Sequence, residues 1–286
     1  GRGVSMTKKR PKTTDALMRY LREEKGISIS GSSQKRKLMN IGYYHGYKGY
    51  RYIGKASNSI HYTNFDELMA VYEFDAQLKA LFYVMQIETA LKSYVLEVVV
   101  SQVNSDSFID VYNKLLDNYK AFSTAGSVYS DFKQRKKAED KFKYELKRRL
   151  DLRNRIYKVQ TDAFGNGNKI AEHYLNNDMN LPIWAIYELL SLGEFGHFVS
   201  CLNFPCRQAI SSKLGIRASD DSNALLPQRL IYVIKDLRNA IAHNDVVYDT
   251  RFRKMDPSRP MKQCLILEMG LPYINFKTIG DYIILV

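Results

Sequence analysis

The side chains best suited to chemistry lie in one short segment, DLRNAIAHN at positions 236–244. Cleavage of RNA by its own 2′-hydroxyl needs a group that exchanges a proton near neutral pH and a fixed positive charge on the phosphate. The imidazole of His243 can supply the first. Arg238 can supply the second, because a guanidinium stays charged and can bond two phosphate oxygens at once. The segment therefore predicts phosphodiester cleavage without a metal ion.

Arg238 and His243 do not share one face of a helix. Five residues advance an α-helix by about 500°, which separates the two side chains by roughly 140° around the axis. They can converge only at a helix end, or when a second copy of the chain supplies the other group. The helix is predicted to end here, because Asn244 follows the last apolar residues and positions 246–248 are typical of extended chain. The amides of Asn239 and Asn244 are candidates to orient the imidazole or the substrate.

This segment resembles a known signature. The sequence R-N-x-x-x-H at 238–243 is similar to the motif of HEPN domains, a helical ribonuclease module of prokaryotic toxins and defence proteins. Other blocks are similar, in order and spacing, to blocks of abortive-infection proteins of the AbiD/AbiF kind: KLMNIGYYHGYKGY at 37–50, QIETALKS at 86–93 and LPIWAIYELLSLGE at 181–194. The hexapeptide alone has low specificity, whereas the blocks in this order are highly specific. The resemblance extends over most of the chain.

The resemblance implies an all-α fold, a HEPN-type helical bundle in which two copies of the motif meet across a homodimer. It assigns His243 as the acid or base, Arg238 as the phosphate clamp and Asn239 as a positioning residue. The products would carry a 2′,3′-cyclic phosphate, with no cofactor and no divalent ion. The implied role is that of a toxin in anti-phage defence. Because AbiF-like proteins are regarded as relatives of RNA-guided HEPN nucleases, a small regulatory or guide RNA is a further candidate partner.

Composition is consistent with an RNA-binding protein. The net charge of +13 and the pI of about 9.4 indicate a polyanionic partner, either nucleic acid or an anionic membrane. No apolar run reaches the roughly 18 residues of a membrane span, so no membrane association is expected. We interpret GRGVS before Met6 as a cloning remnant, and no secretory signal follows it. A cytoplasmic protein is therefore predicted.

The chain contains three cysteines, Cys201, Cys206 and Cys264. Their number is odd and their spacing matches no common metal site. The sequence therefore predicts reduced, buried thiols rather than disulfides or a zinc site.

We predict three parts: a basic helical and Tyr/Gly-rich module at 6–62, a helical domain at 63–253 and a C-terminal appendage at 254–286. Apolar residues at three/four spacing predict a long helix over 65–104 and a last core helix over 225–243. In the appendage, prolines and short apolar pieces predict strand-like structure, such as a small hairpin.

The segment at 42–54 contains four glycines and five tyrosines, which favour a turn and short strands. Two interpretations are open. The rings either pack on the helical body or stack on unpaired bases while Lys48 and Arg51 hold phosphates. Packing is favoured, because tyrosine is common in half-buried loops. His45 adds a second imidazole, but nothing in the sequence pairs it with Arg238.

Glu88 lies on the apolar stripe of the helix predicted over 65–104. A carboxylate there is costly unless it is paired, so it must meet a cation or several hydrogen-bond donors. Arg238 is one candidate, and the pair would fix the arginine at the active site. A purely structural link to Lys92 or to another helix is the alternative.

A strongly basic helix is predicted over 131–157, with a narrow core-facing stripe. Its outward cations include Lys136, Lys137, Arg148 and Arg149. They are either a solvated helix face or a surface that binds the RNA backbone without reading sequence.

Two other functions stay open on the sequence. One is a non-catalytic RNA-binding or scaffold protein with a HEPN-like fold, in which Arg238 and His243 form a structural hydrogen-bond pair. The other is a metal-dependent hydrolase, which lacks a cluster of carboxylates here and predicts inhibition by chelators.

Overall fold

The computed structural model describes residues 13–54, 58–125, 129 and 131–286. The predicted remnant GRGVS and Met6 therefore lie outside the described residues. The α-helices of the described residues are Thr14–Lys25 (α1), Gly31–Ile41 (α2), Phe65–Leu81 (α3), Val84–Val103 (α4), Phe108–Lys114 (α5), Phe132–Gly165 (α6), Lys169–Leu175 (α7), Ile183–Leu189 (α8), Leu192–Cys201 (α9), Phe204–Lys213 (α10), Leu226–Ala242 (α11), Arg259–Met269 (α12) and Ile279–Leu285 (α13).

The predicted all-α class is confirmed. A π-helix at Tyr43–Lys48 and a 3₁₀ helix at Asn118–Phe122 complete the regular structure. Extended pairing in the described part of the chain is limited to isolated bridges, such as the one between Tyr52 and Ser59. The backbone hydrogen bonds are therefore made almost entirely within helices and turns.

Contacts along the chain group it into two units. Unit 1 comprises the described residues up to Phe82, together with Asn239–Phe252 and Lys277–Ile284. Unit 2 comprises Tyr83–Arg238, Arg253–Phe276 and the last two residues. The three-part division drawn from the sequence stays a prediction.

In unit 1, helices α1, α2 and α3 enclose a core that includes the fully buried Leu21, Phe65 and Leu68. The side chain of Asn64 accepts a hydrogen bond from the Glu67 N–H at 3.0 Å and so caps the start of α3. These local signals fix α3, which contributes a buried carboxylate to the candidate site.

In unit 2, α4 packs against α5, α8 and α10, and α6 packs against α7, α8 and α9. The fully buried ring of Tyr187 meets the rings of Phe195 and Phe198, each at 5.1 Å and edge to face. A Cβ on Gly196 would lie 3.0 Å from the Tyr232 ring, so this glycine allows α9 to approach α11 closely.

The single helix predicted over 65–104 is wrong in one respect, because two helices occupy these residues. The first, α3, ends at Leu81, and α4 begins at Val84. Between them Tyr83 has a φ of 42°, a left-handed conformation that cannot continue a helix. With neither glycine nor proline at this point, the sequence provides no signal for the break.

The short strands predicted at 42–54 are absent from the described residues, and a π-helix takes their place. It begins directly after Gly42, whose φ is 71°. A Cβ on Gly46 would lie 2.5 Å from Cγ1 of Ile41, so only glycine allows this close turn. Glycine thus permits an unusual helix here, where the sequence suggested a helix break.

The strand-like C-terminal appendage predicted at 254–286 is also wrong. Helix α12 has Pro260 in its first turn and ends at Gly270, which has a left-handed φ of 60°. The short apolar run at the end forms α13, with Tyr282 buried. Periodicity cannot distinguish a strand from a helix in runs this short, and no neighbouring strand is described that would pair with one.

All three cysteines are free thiols and are buried, which confirms that prediction. Burial raises the pKa of Cys201 to about 11 and that of Cys206 to about 12. Both thiols are therefore protonated at neutral pH and are poor nucleophiles.

Candidate active site

Helix α11 carries the candidate motif and ends within it. Its buried residues include Ile231, Ile234 and Leu237. At its end the Asp245 N–H donates to the carbonyl of Ala240 at 2.8 Å, and the Asn244 N–H donates to the carbonyl of Ile241 at 3.1 Å. With Asn244 at a φ of 53°, this is a Schellman motif, a common way to end a helix. The predicted helix end is confirmed.

Arg238 lies in the last turns of α11 and belongs to unit 2. Its Nε contacts Oε2 of Glu88 at 3.1 Å, and the other oxygen of that carboxylate contacts Nζ of Lys92 at 2.9 Å. Lys92 also donates to the carbonyl of Leu190 at 2.9 Å. Glu88 and Lys92 are nearly buried, whereas the Arg238 side chain is 30% exposed. Both partners considered for Glu88 are therefore used, and two cations share one carboxylate.

His243 belongs to unit 1 and occupies the cap position after α11. Its N–H donates to the carbonyl of Asn239 at 3.0 Å, which continues the helical pattern for one more residue. The residue is exposed, and among the described residues no side-chain hydrogen bond restrains its imidazole. Asn239 is half-buried. The imidazole is thus accessible to a substrate.

A buried carboxylate holds the chain that follows His243. Asp75, on α3, accepts hydrogen bonds from the N–H groups of Val247 and Tyr248 at 3.0 and 2.7 Å. Its other oxygen accepts from the Tyr50 hydroxyl at 2.6 Å and contacts the ammonium group of Lys79 at 3.1 Å. Burial, together with the hydrogen bond to Asp75, raises the pKa of Tyr50 far above its usual value. The tyrosine therefore stays protonated as a donor.

Lys79 connects this carboxylate to the motif. Its ammonium group donates to Oδ1 of Asn244 at 2.9 Å while contacting Asp75. The predicted supporting residue Asn244 therefore has a structural role in unit 1: its backbone ends α11, and its side chain is held by α3.

The predicted RNA-binding residues have different surroundings. Lys48 is exposed and Arg51 half-buried, both at or beside the π-helix of unit 1. On α6, Lys136 and Lys137 are exposed.

Two cations of α6 are used inside unit 2. The Arg148 guanidinium contacts Glu145 at 3.2 Å and donates to Oγ of Ser200. The Arg149 guanidinium lies 3.7 Å from the centre of the Tyr112 ring and donates to the carbonyl of the same residue at 2.9 Å. Both guanidinium groups hold α6 to its neighbours.

Sequence reasoning missed Asp75 and Lys79, although a signal was present. Asp75 is seven residues after Leu68 and three before Leu78, so it lies on the apolar stripe of its helix. The same argument identified Glu88 on the next helix. A carboxylate on an apolar stripe indicated a buried charged network in both cases.

The sequence around the motif matches a known protein family. The model of a family described as Abi-like protein matches residues 36–249, from α2 to beyond the end of α11. The chain belongs to the Abi-like protein family. This membership confirms the predicted relation to abortive-infection proteins. No curated protein and no solved structure matches the chain.

The described residues of this Abi-like protein contain neither a candidate membrane span nor a candidate metal-binding group. No helix of its described residues is both long and apolar enough to cross a membrane. Across the same residues, no three His, Cys, Asp or Glu side chains form a group that could hold a metal ion.

Proposed function

We propose that this Abi-like protein is a metal-independent endoribonuclease of the HEPN type that acts in prokaryotic anti-phage defence. The proposal rests on the exposure of His243 and on the contact that holds Arg238. His243 is exposed and occupies the C-cap position of α11, and the arginine five residues earlier contacts a nearly buried carboxylate. In the proposed enzyme, two copies of the motif meet across a homodimer.

The reaction needs a proton acceptor and a proton donor. His243 takes the proton of a 2′-hydroxyl as its oxygen attacks the adjacent phosphorus. A new bond joins the 2′-oxygen to phosphorus, and the bond from phosphorus to the 5′-oxygen breaks. That oxygen takes a proton from water, and the His243 imidazolium then returns its proton to the hydroxide so formed. The products are a 2′,3′-cyclic phosphate and a 5′-hydroxyl.

Arg238 would stabilise the negative charge that grows on the phosphate during this step. The contact of its Nε with Glu88 orients the guanidinium plane. Lys92 contacts the other oxygen of the same carboxylate and helps to hold Glu88 in place. Asn239 would position the substrate or the imidazole.

Substrate RNA would also contact cations outside the motif. Lys136 and Lys137 are exposed on α6, and Lys48 is exposed on the π-helix. A small RNA that regulates or guides the enzyme would bind through the same backbone chemistry.

The test is cleavage of bacterial total RNA by the purified protein in excess chelator. We expect wild type to cut the RNA and to leave cyclic phosphate ends, and His243→Ala to lose about a hundredfold or more in rate. His173→Ala is the matched control, because His173 is also exposed but lies on α7. This control should cut like wild type.

A substitution of the arginine separates charge from geometry. Arg238→Lys keeps the charge but not the forked donor, so it should recover only part of the activity lost in Arg238→Ala. Cleavage that stops in chelator would contradict the proposal. RNA binding without cleavage in any condition would favour a non-catalytic RNA-binding protein.

A further inference from the structure

Unit 1 contains a pocket of about 330 Å³ that the motif does not account for. One wall is formed by the π-helix and the residues after it, including Tyr44, Lys48 and Tyr52. The other wall includes Asn244 and Asp245, which directly follow His243 in the chain. The volume is at the lower end of the range of about 300–1,000 Å³ that is typical of small-ligand sites.

The two walls are fastened to each other by Arg251. Its guanidinium donates to the carbonyl of Gly49 at 2.8 Å and to that of Tyr52 at 2.5 Å. The same group is paired with Asp249 at 2.6 Å, and Asp249 in turn accepts from the Gly54 N–H at 2.7 Å. The pocket is therefore organised before any ligand binds, which lowers the entropic cost of binding.

Positive charge predominates around the pocket. Lys48, Arg51 and Arg251 line it together with the imidazole of His45, and Asp245 is the carboxylate among the lining residues. The charge of Arg251 is matched by Asp249, so Lys48 and Arg51 are the cations available to a ligand. Within the described residues, Lys48 lies 5.4 Å from the Tyr43 ring and Arg51 lies 5.7 Å from the Tyr52 ring. This combination suits an anion.

An exposed aromatic ring lies beside these cations. The side chain of Tyr44 is 71% exposed. The imidazole of His45 packs edge to face against the Tyr44 ring, with 5.1 Å between the ring centres, while the Tyr44 ring remains open to solvent. A ring held in this way offers a stacking surface for a planar ligand.

We propose that this pocket binds one unpaired nucleotide of the RNA next to the cleaved bond. Its base stacks on Tyr44, and its phosphate contacts Lys48 and Arg51. Because a base in a duplex cannot stack on the protein, the pocket directs the enzyme to single-stranded RNA. This assignment rests on the proposed ribonuclease function, since it places the pocket next to His243 along the chain.

The combination of groups favours a nucleotide over an acidic peptide. Acidic side chains would satisfy Lys48 and Arg51 but have no planar group for Tyr44. A nucleotide supplies both a charged phosphate and an aromatic base within one ligand, and both are recognised by this type of site.

The test measures binding without cleavage. The probes are short fluorescein-labelled oligoribonucleotides, 2′-O-methylated at every position, in four homopolymer sequences and as a duplex. They lack the attacking hydroxyl, so they report on the pocket even if the proposed catalysis is wrong. Affinity is measured by fluorescence anisotropy over a range of salt concentrations, with folding checked by circular dichroism.

We expect the single strands to bind more tightly than the duplex. Tyr44→Ala should weaken single-strand binding about tenfold and remove the preference over duplex, whereas Tyr44→Phe, which keeps the ring, should stay within about twofold of wild type. Lys48→Ala should weaken binding and reduce the slope of log affinity against log salt by about 0.7. Lys169→Ala is the charge control on α7 and should bind like wild type.

Equal affinity of Tyr44→Ala and Tyr44→Phe would overturn the stacking site. Loss of affinity in Lys48→Ala alone, with the same loss for inorganic polyphosphate, would show a simple anion site. If His243→Ala binds like wild type and Tyr44→Ala binds more weakly, the assignment of the pocket as a nucleotide site is supported, whatever the outcome of the cleavage assay.

Discussion

Asp75 concentrates several interactions of unit 1 on one fully buried carboxylate. It joins α3, the tyrosine segment and the two N–H groups that follow the motif. The ammonium group of Lys79, also nearly buried, depends on it for charge balance. A buried carboxylate with a full set of partners is expensive to disturb, because each partner loses its hydrogen bond in a place that water does not reach.

Asp75→Asn is expected to destabilise the protein by about 3 kcal/mol or more, because it leaves the Lys79 ammonium buried without a counter-charge. Urea unfolding followed by circular dichroism measures the change. Glu73→Gln, on an exposed face of the same helix, should change stability by less than about 0.5 kcal/mol. If the two variants were equally stable, Asp75 would not be the anchor of this segment.

Individual residues were predictable where one rule applied to them. A carboxylate on an apolar stripe must be paired, and this rule correctly led from Glu88 to Arg238. The rule could not show that Glu88 contacts Lys92 as well as Arg238. Residue spacing alone does not indicate how many cations fit around one carboxylate. Arg148 and Arg149 illustrate another gap. Their inward contacts with Ser200 and Tyr112 depend on neighbours distant in sequence.

At the scale of elements, amphipathic helices with clear caps were predicted well. Helix α11, for example, ends at the motif as predicted. Breaks without glycine or proline were missed, most clearly at Tyr83. Tertiary packing determines these breaks, and local sequence does not encode them.

The π-helix provides a test at this scale. In Gly46→Ala, the new Cβ would lie 2.5 Å from Cγ1 and 2.7 Å from Cδ1 of Ile41, which is itself buried. Overpacking of this kind costs about 1–3 kcal/mol, so the variant should unfold at lower urea concentration and bind the single-stranded probe more weakly.

Gly49→Ala is the matched control for that variant. Its Cβ would lie 3.5 Å from Cγ2 of Val246 and 3.7 Å from the carbonyl oxygen of Tyr44, both ordinary contacts, and Gly49 has a right-handed helical φ of −64°. Its stability should stay near that of wild type. Equal losses in both variants would show that the segment tolerates no side chain at all, and that the contact with Ile41 is not the cause.

For the molecule as a whole, the net charge is +13, but only some of the cations are available to a polyanionic partner. Some cations, such as Arg148, Arg149 and Arg251, are engaged inside a unit. Others, such as Lys136 and Lys137, are exposed. Composition predicted a polyanionic partner but could not distinguish these two groups, because burial is a property of the fold. The same holds for the pocket in unit 1, whose walls come from segments about two hundred residues apart in sequence.

The geometry of α11 leads to a prediction about the assembly. On an ideal helix the side chains of Arg238 and His243 would point roughly 140° apart, and we therefore propose that the arginine of one copy acts with the histidine of the other. Two inactive variants should then complement each other. Arg238→Ala and His243→Ala are mixed after mild denaturation and joint refolding, and RNA cleavage is compared with that of each variant refolded alone.

Random mixing gives about half heterodimers, and each has one intact pair across its two-fold interface, so the mixture should regain about a quarter of wild-type activity. Each variant alone should stay inactive, because none of its pairs is complete. Heterodimers are verified by tagging one variant and capturing the other with it. If captured heterodimers cleave no RNA, the two side chains act within one copy, and the helix end must then bring the imidazole back toward the arginine. That result would not affect the ribonuclease assignment, which the chelator assay tests separately. It would remove the reason for expecting an obligatory dimer.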